Sequence, residues 1–340
     1  MQIQNQADVT RNVTINKYKG VDTGASSLEM AMDINDYQAE FIDTKIPDLV
    51  AAVESDVLST VLPLIPQSAG DYGLLNDVST ILAAGGLLDN NLAPQNGRNI
   101  LTSVTGRQQI VNALTGFYNP QSTISEQFKS GLMARNTLGF DWYSSSLVPS
   151  ITRGSANTAY ETATGGANLV QGTGYSSIDI DTGSGTFVVG DIFTIQGVNE
   201  VHPQTKADLG YLKQFVVYEA SAGGTVTLKF TPAIVTSGAG QNVSATPGAD
   251  KDVLPLGTIS VAHSQSIAFC KDAFYFVTAD LPMPKGMGVE CAQRTWKGIT
   301  MRFMNGFDIA NDQFVSRFDI AYGAGILRPE LAVRLPHILS

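Results

Sequence analysis

The sequence predicts an α+β chain with an all-β segment inserted into it, on three observations. Apolar residues at helical spacing are confined to the stretch from Asn35 to Ala134. The quarter from Gly165 to Gly248 holds 14 of the chain's 33 glycines, is rich in Thr and Ser, and offers only short strand candidates. From His263 onward the pattern alternates as strands do. Helices precede the glycine-rich quarter and strands follow it, so the host domain is discontinuous.

Taken in order, Val9–Asn16 and Leu28–Ile34 alternate, and Gly20-Val-Asp-Thr-Gly24 between them reads as a turn-rich link. This predicts a two-stranded arm with no helix of its own segment to cover it. Its apolar residues Leu28, Met30 and Met32 would then be ordered by a neighbouring subunit, and removing residues 1–26 would leave a folded monomer. Asn35 can cap a helix with Gln38 three residues on, and Pro47 then starts a second, longer helix. That helix carries Leu49, Val50, Val53, Val57, Leu58 and Val61 on one face and Asp48, Glu54 and Asp56 outside it, ending near Pro63. Those carboxylates give the helix an acidic outer face. Leu74–Ala84 is a further helix stopped at Gly85-Gly86, Arg98–Ser103 a short strand, and Thr105-Gly-Arg-Gln108 a capping box. Ser125–Ala134 reads as a short helix. Strand candidates in the insert are Ile178–Ile180, Phe187–Ile195, Phe215–Tyr218 and Val226–Phe230, which suit a small barrel or sandwich. In the closing segment, Ile299, Met301 and Phe303 alternate, a turn is expected at Asn305-Gly306, and Phe318, Ile320 and Tyr322 form the returning strand.

Composition narrows the function classes. At 340 residues the chain can hold two or three domains. Its hydrophobic content of 43% excludes a disordered protein. Its charged fraction of 15% is below the roughly 25% of ordinary soluble chains. Extensive burial against partners and a Gly/Thr-rich β-protein both account for that. There is no run of eighteen apolar residues to span a membrane and no secretory signal pattern. Cys270 and Cys291 are too few for a disulfide framework and read as thiols in a reducing compartment. A net charge of −10 repels nucleic acid. Residues 1–100 hold 13 acidic against 5 basic side chains, whereas residues 294–340 hold 4 against 6. Solvated faces, or copies docking by opposite local charge, both fit that split.

Chemistry is absent from the pattern. The three histidines, His202, His263 and His337, share no short motif with Cys, Asp or Glu at ligand spacing. Gly172-Thr-Gly174 lacks the rest of a dinucleotide fingerprint and reads as a turn. Asp179-Ile-Asp181-Thr-Gly183 lacks the glutamate a calcium loop needs and reads as a strand end. Asp33, Asp36, Glu40 and Asp43 sit at helix starts, where the dipole favours anions. We therefore expect no catalytic, metal or cofactor-binding residues and no enzyme.

Several motifs occur together in order. They include Gly139-Phe-Asp-Trp142 with Val148-Pro149-Ser-Ile-Thr152, Gly190-Asp-Ile-Phe-Thr-Ile-Gln-Gly-Val198, and Lys271-Asp-Ala-Phe274 with Leu281-Pro-Met-Pro284. After these come Phe307-Asp-Ile309 with Asp312, Tyr322-Gly323 and Arg328-Pro-Glu330. In this the chain resembles the major capsid proteins of short-tailed-type tailed bacteriophages, the HK97-fold branch with an inserted β-barrel. The resemblance implies an extended loop arm at 1–35, a spine helix and peripheral domain at 36–70, and an apical/peripheral core at 71–159 and 256–340. The inserted barrel would be 160–255. It implies a structural protein that self-assembles, as hexamers and pentamers, into the icosahedral shell around double-stranded DNA, bound without sequence preference. Scaffolding and portal proteins, and in some phages a decoration protein, are the partners implied; no cofactor and no membrane is. Localisation would be the virion, with assembly in the host cytoplasm. Family members carry a stretch on the order of fifty residues before the point where this chain starts. Met1-Gln-Ile-Gln would thus fall inside the extended loop, and no proteolytic maturation or covalent cross-link is expected. An encapsulin-like compartment shell shares the fold but lacks the insert, and a decoration or receptor-binding protein would need no spine helix.

Overall fold

The computed structural model describes residues 12–26, 43–75, 77–114, 137–284, 289–296 and 299–338. In chain order, β1 (Lys17–Ser26) precedes helix α1 (Asp43–Val61). Then come β2 (Gln67–Ser68), α2 (Val78–Asn90), β3 (Arg98–Thr102), α3 (Val104–Leu114), β4 (Asp141–Ser144) and β5 (Ser150–Thr152). The insert holds β6 (Glu161–Thr162), β7 (Val170–Gln171), β8 (Ser176–Asp181), β9 (Ile192–Val201), β10 (Asp208–Glu219), β11 (Val226–Thr231) and β12 (Val253–Pro255). The chain ends through β13 (Ala262–Cys270), β14 (Phe274–Ala279), β15 (Val289–Trp296), β16 (Ile299–Asp308), β17 (Gln313–Ile326) and β18 (Ala332–His337). The chain is α+β, mostly sheet with few helices, and divides into two compact units.

The smaller unit comprises Arg11–Thr60 and Phe274–Gly325. Its sheet runs β1-β17-β16-β15, with β14 also on β17. Along β17, Phe318, Ile320 and Tyr322 point to one face by the two-residue period of a strand, and there they bury against Leu49 of α1. Val21 of β1 and Met301 and Phe303 of β16 complete that layer.

Among the described residues, the larger unit comprises those of 61–273 and 326–338. Its first sheet runs β2-β18-β13-β3-β4, with β5 on β13, and α2 and α3 pack against it. Ile81, Ala84 and Leu88 of α2, at three- and four-residue spacing, are fully buried. The second sheet runs β12-β9-β10-β11-β8-β6 and nearly closes on itself. Its two ends meet where Val253 N donates to Tyr160 O at 2.8 Å and Thr162 N to Lys251 O at 2.9 Å. Inside it Phe187, Phe193, Phe215 and Phe230 stack edge to face around a fully buried centre.

Several local expectations need correction. Gly20–Gly24 is not a turn. It lies within β1, which pairs antiparallel with β17 from Lys17↔Tyr322 to Ser26↔Gln313. At Gly20 the strands approach closely: a Cβ there would lie 3.3 Å from Asp319 Cβ and 3.2 Å from the Arg317 guanidinium, so a larger residue would crowd both. Pro47 does not open a helix; α1 already runs from Asp43, so the missing N–H removes one bond in the second turn. Gly85-Gly86 does not stop α2, because the buried stripe continues to Leu88. Burying Leu88, with Leu87 part-buried beside it, is worth about 1.5–3 kcal/mol for each fully buried leucine, which offsets the roughly 1 kcal/mol that each of the two mid-helix glycines costs. The cap of α3 is Ser103, whose Oγ accepts from Gly106 N at 3.1 Å, rather than Thr105. The register is set by Gly106, where a Cβ would come 2.9 Å from the His337 ring. The strand expected over Phe187–Ile195 begins only at Ile192, as β9. Asn305-Gly306 stays in β16, paired with Ser316 and Val315. The hairpin turns later, where Asp308 accepts from Ala310 N at 2.9 Å and Asn311 Nδ2 at 2.7 Å, which stabilises the turn locally. The readings of Leu28–Ile34, the Asn35 cap and Ser125–Ala134 fall outside the described residues.

Candidate assembly surfaces

In the smaller unit, β1 is held by two polar clusters on opposite faces of the sheet. On the helix side, Asp56 accepts from Lys17 Nζ and Tyr322 Oη, both at 2.6 Å, and Lys17 also donates to Thr60 Oγ1. Burial works against Asp56 ionising, but the hydrogen bonds from Lys17 and Tyr322 outweigh it and hold its carboxyl below the usual range. Burial, together with the same Asp56, pushes the Tyr322 hydroxyl up. Asp56 is thus not part of a free acidic face. Of its expected companions, Asp48 stands 3.7 Å from Lys45, and Glu54 is half-buried.

On the other face sits Asp319, with none of its side chain exposed. Its oxygens accept from Arg302 Nε at 2.9 Å, Arg302 Nη2 at 2.7 Å and Tyr18 Oη at 2.6 Å. Arg317 adds charge at 3.3 Å and lies over the Tyr18 ring at 5.6 Å. Burial disfavours the Asp319 anion, yet the bonds from Arg302 and Tyr18 prevail and depress its pKa. Ionised and fork-bonded, it ties β1, β16 and β17 together.

Two apolar features of this unit face solvent. The inner face of β15 and β16 runs past α1, leaving a groove of about 570 Å³ between Ile46 and Val50 on the helix and Ala292, Ile299, Met301 and Phe303 on the sheet. At the far end of β16, Ile309 is 86% exposed, beside half-exposed Phe307. The Phe307 ring packs on Phe314 at 4.9 Å.

In the larger unit, a buried polar knot sits where the chain enters and leaves the nearly closed sheet. Asp191 accepts from Gly154 N at 3.1 Å and Val188 N at 2.9 Å, and Arg153 donates to Gly257 O and Ala156 O at 2.9 and 2.7 Å. Arg334 of β18 reaches Gly190 O at 2.8 Å. Burial raises the Asp191 pKa despite those N–H donors and the charges of Arg153 and Arg334. The Gln214 side chain of β10 pairs with Ser68 of β2 through both its oxygen and its nitrogen, at 2.6 and 3.1 Å. These bonds fix the inserted sheet to its host. Arginines and carboxylates at those positions carried no motif in the sequence.

Among the described residues no group of His, Cys, Asp and Glu could hold a metal. His202 lies in a loop, its Nδ1 accepting from Gln204 N and Thr205 N. His263 and His337 are buried, and burial lowers both pKa values. Asp179 and Asp181 end β8 as a strand end. Of the four carboxylates at the expected helix starts, Asp43 opens α1, and Asp33, Asp36 and Glu40 lie outside the described residues.

A family model described as P22 coat protein - gene protein 5 matches residues 35–336. The chain belongs to this coat-protein family. It is a major capsid protein that forms the shell of a tailed phage, a structural component of the virion rather than an enzyme. Among solved structures, this coat protein is similar to a chain from the structure of Mycobacterium phage Che8, at 11% identity and TM-score 0.46, covering 98% of this chain and 76% of that chain. The capsid structure of the cyanophage P-SCSP1u gives 12% identity and TM-score 0.46, with 98% and 78% covered. The CUS-3 coat protein I-domain, at 24% identity and TM-score 0.24, covers 30% of this chain and 98% of that chain. No curated protein matches. For a coat protein the working surfaces are those that meet other copies, so the exposed apolar groove and hairpin tip are the candidates.

Proposed function

We propose that the chain builds its shell as hexamers and pentamers of one subunit with an HK97-type fold, closed around double-stranded DNA that it does not read. The family match over residues 35–336, spanning both the host sheets and the insert, carries this reading. The nearly closed sheet supports an inserted barrel over 160–255, which favours a phage shell over an encapsulin-like compartment. The remaining assignments are an extended loop at 1–35, a spine helix and peripheral domain at 36–70, and the apical/peripheral core at 71–159 and 256–340. A net charge of −10 suits a wall from which packaged DNA must later leave. Assembly takes place in the host cytoplasm with a scaffolding protein and a portal, and a decoration protein is a further candidate partner.

Negative-stain microscopy and sedimentation of the purified chain, with and without scaffolding protein, test this. Closed particles of uniform size are expected, and a chain that stays monomeric under both conditions would overturn the reading. Residues 160–255 expressed alone should melt cooperatively, because the strand pairing and aromatic centre are internal to the segment. A random-coil spectrum would remove the barrel as an independent domain.

A further inference from the structure

The exposed hairpin tip and the apolar groove are two parts of one contact. The geometry points to the β16–β17 tip of one copy, led by Ile309, seating in the groove beside α1 of the next copy. This rests on the shell-forming reading above and names the surfaces that carry it.

Turn residues are ordinarily polar, since they face water and bond to their own backbone. Ile309 breaks that pattern at 86% exposure, and it does not stand alone: Phe307, two residues before it, is 45% exposed, and Val315, on the opposite face of the same hairpin end, is 37% exposed. An apolar cluster of this kind on a surface marks a contact. The groove is its complement. It is lined almost wholly by aliphatic and aromatic side chains, and Val50 and Ile299 stand 50% and 38% exposed along it. At about 570 Å³ it has room for several side chains.

A tip cannot fill the groove of its own subunit. Ile299 and Ile309 are the groove end and tip end of one strand system, ten positions apart, or roughly 33 Å at the rise of a strand. The intervening β16 is paired on both edges, to β15 and to β17, and cannot fold back. The occupant is therefore a second copy. Where each tip enters the groove of a further copy, rather than two copies exchanging tips reciprocally, the contact is head-to-tail, and repeated contacts of that type close into rings or run on as filaments. Rings are what a shell of hexamers and pentamers needs.

The test uses the full chain. Ile309→Lys and Val50→Lys should each reduce particle yield at least tenfold while circular dichroism stays that of the native subunit, since both side chains face solvent. Combining Ile309→Lys with Val50→Glu should restore yield. In a Cys270→Ala, Cys291→Ala background, Ile309→Cys with Val50→Cys should give a ladder of covalent oligomers under mild oxidation, with no need for a closed shell. If the wild-type chain assembles and Ile309→Lys assembles equally well, the inference is overturned and the shell reading stands. A disulfide formed only within single chains, or trapping of the groove by another segment of the same chain, overturns it as well. Failure of the wild-type chain to assemble counts against the shell reading instead, and the disulfide ladder then decides the contact separately.

Discussion

Replacing Asp319 by alanine should loosen the smaller unit more than any other single polar change there. The side chain is fully buried and takes hydrogen bonds from Arg302 at 2.9 and 2.7 Å and from Tyr18 at 2.6 Å. Its loss strands the Arg302 guanidinium, only 12% exposed, without its counter-charge. Breaking one partner of a buried pair costs about 3–5 kcal/mol, because the remaining charge is left uncompensated. Against a total stability of about 5–15 kcal/mol for a typical domain, that is enough to free β1. Hydrogen exchange of the β1, β16 and β17 amides, read on dissociated subunits, is the assay, since two units need not unfold together. Protection should fall in those strands by a factor of at least a hundred, while amides of β9 and β10 keep theirs. A second variant guards the argument: Asp319→Leu with Arg302→Met removes both charges and should recover most of the loss. A change below about 1 kcal/mol in Asp319→Ala would show that the cluster is as weak as a surface ion pair, and the reasoning would fail.

Removing residues 1–26 should destabilise the subunit rather than spare it, since β1 pairs along its full length with β17 and Lys17 caps Asp56; an unchanged melting curve after truncation would refute this. Gly154→Ala should be among the most damaging small changes, because its Cβ would lie 2.3 Å from Thr186 O and 2.7 Å from Asp191 Oδ2. Gly86→Ala meets nothing within 4 Å inside α2 and should stabilise by about 0.4–1 kcal/mol in thermal melts. Acid should act on the units in order. The lowered pKa of buried His337 means stability that is full above about pH 6.5 and lost as pH falls through the folded value. The lowered values of Asp56 and Asp319 keep their contribution until pH falls below about 4. Amide exchange in β18 should therefore rise on acidification before that in β1, and the reverse order would contradict the assignment.

Part of the insert was legible because apolar alternation between glycines marks a strand, and β8, β10 and β11 lie where Ile178, Phe215 and Val226 place them, whereas β9 starts only at Ile192 and β6, β7 and β12 carry too short a pattern to be read. The returning strand at Phe318, Ile320 and Tyr322 was legible for the same reason, since a two-residue period sorts one face toward an apolar layer whatever that layer is. The family motifs named the shell function without any site, because a coat protein works through surfaces. Local rules failed where a distant partner outbid them. Gly20–Gly24 has turn composition but becomes strand because β17, about three hundred residues away, offers a ladder and a tight approach. Gly85-Gly86 stays helical because Leu88 has a core to enter, and Asn305-Gly306 stays extended because Phe307 has Phe314 to meet. The same holds for charge: Asp56 reads as one carboxylate on an exposed helix face until Lys17 and Tyr322 close on it. Periodicity and turn chemistry are properties of neighbouring residues and survive in the sequence. Pairing register, buried ion pairs and the match of a tip to a groove arise between residues far apart in the chain, and only the folded subunit brings them together.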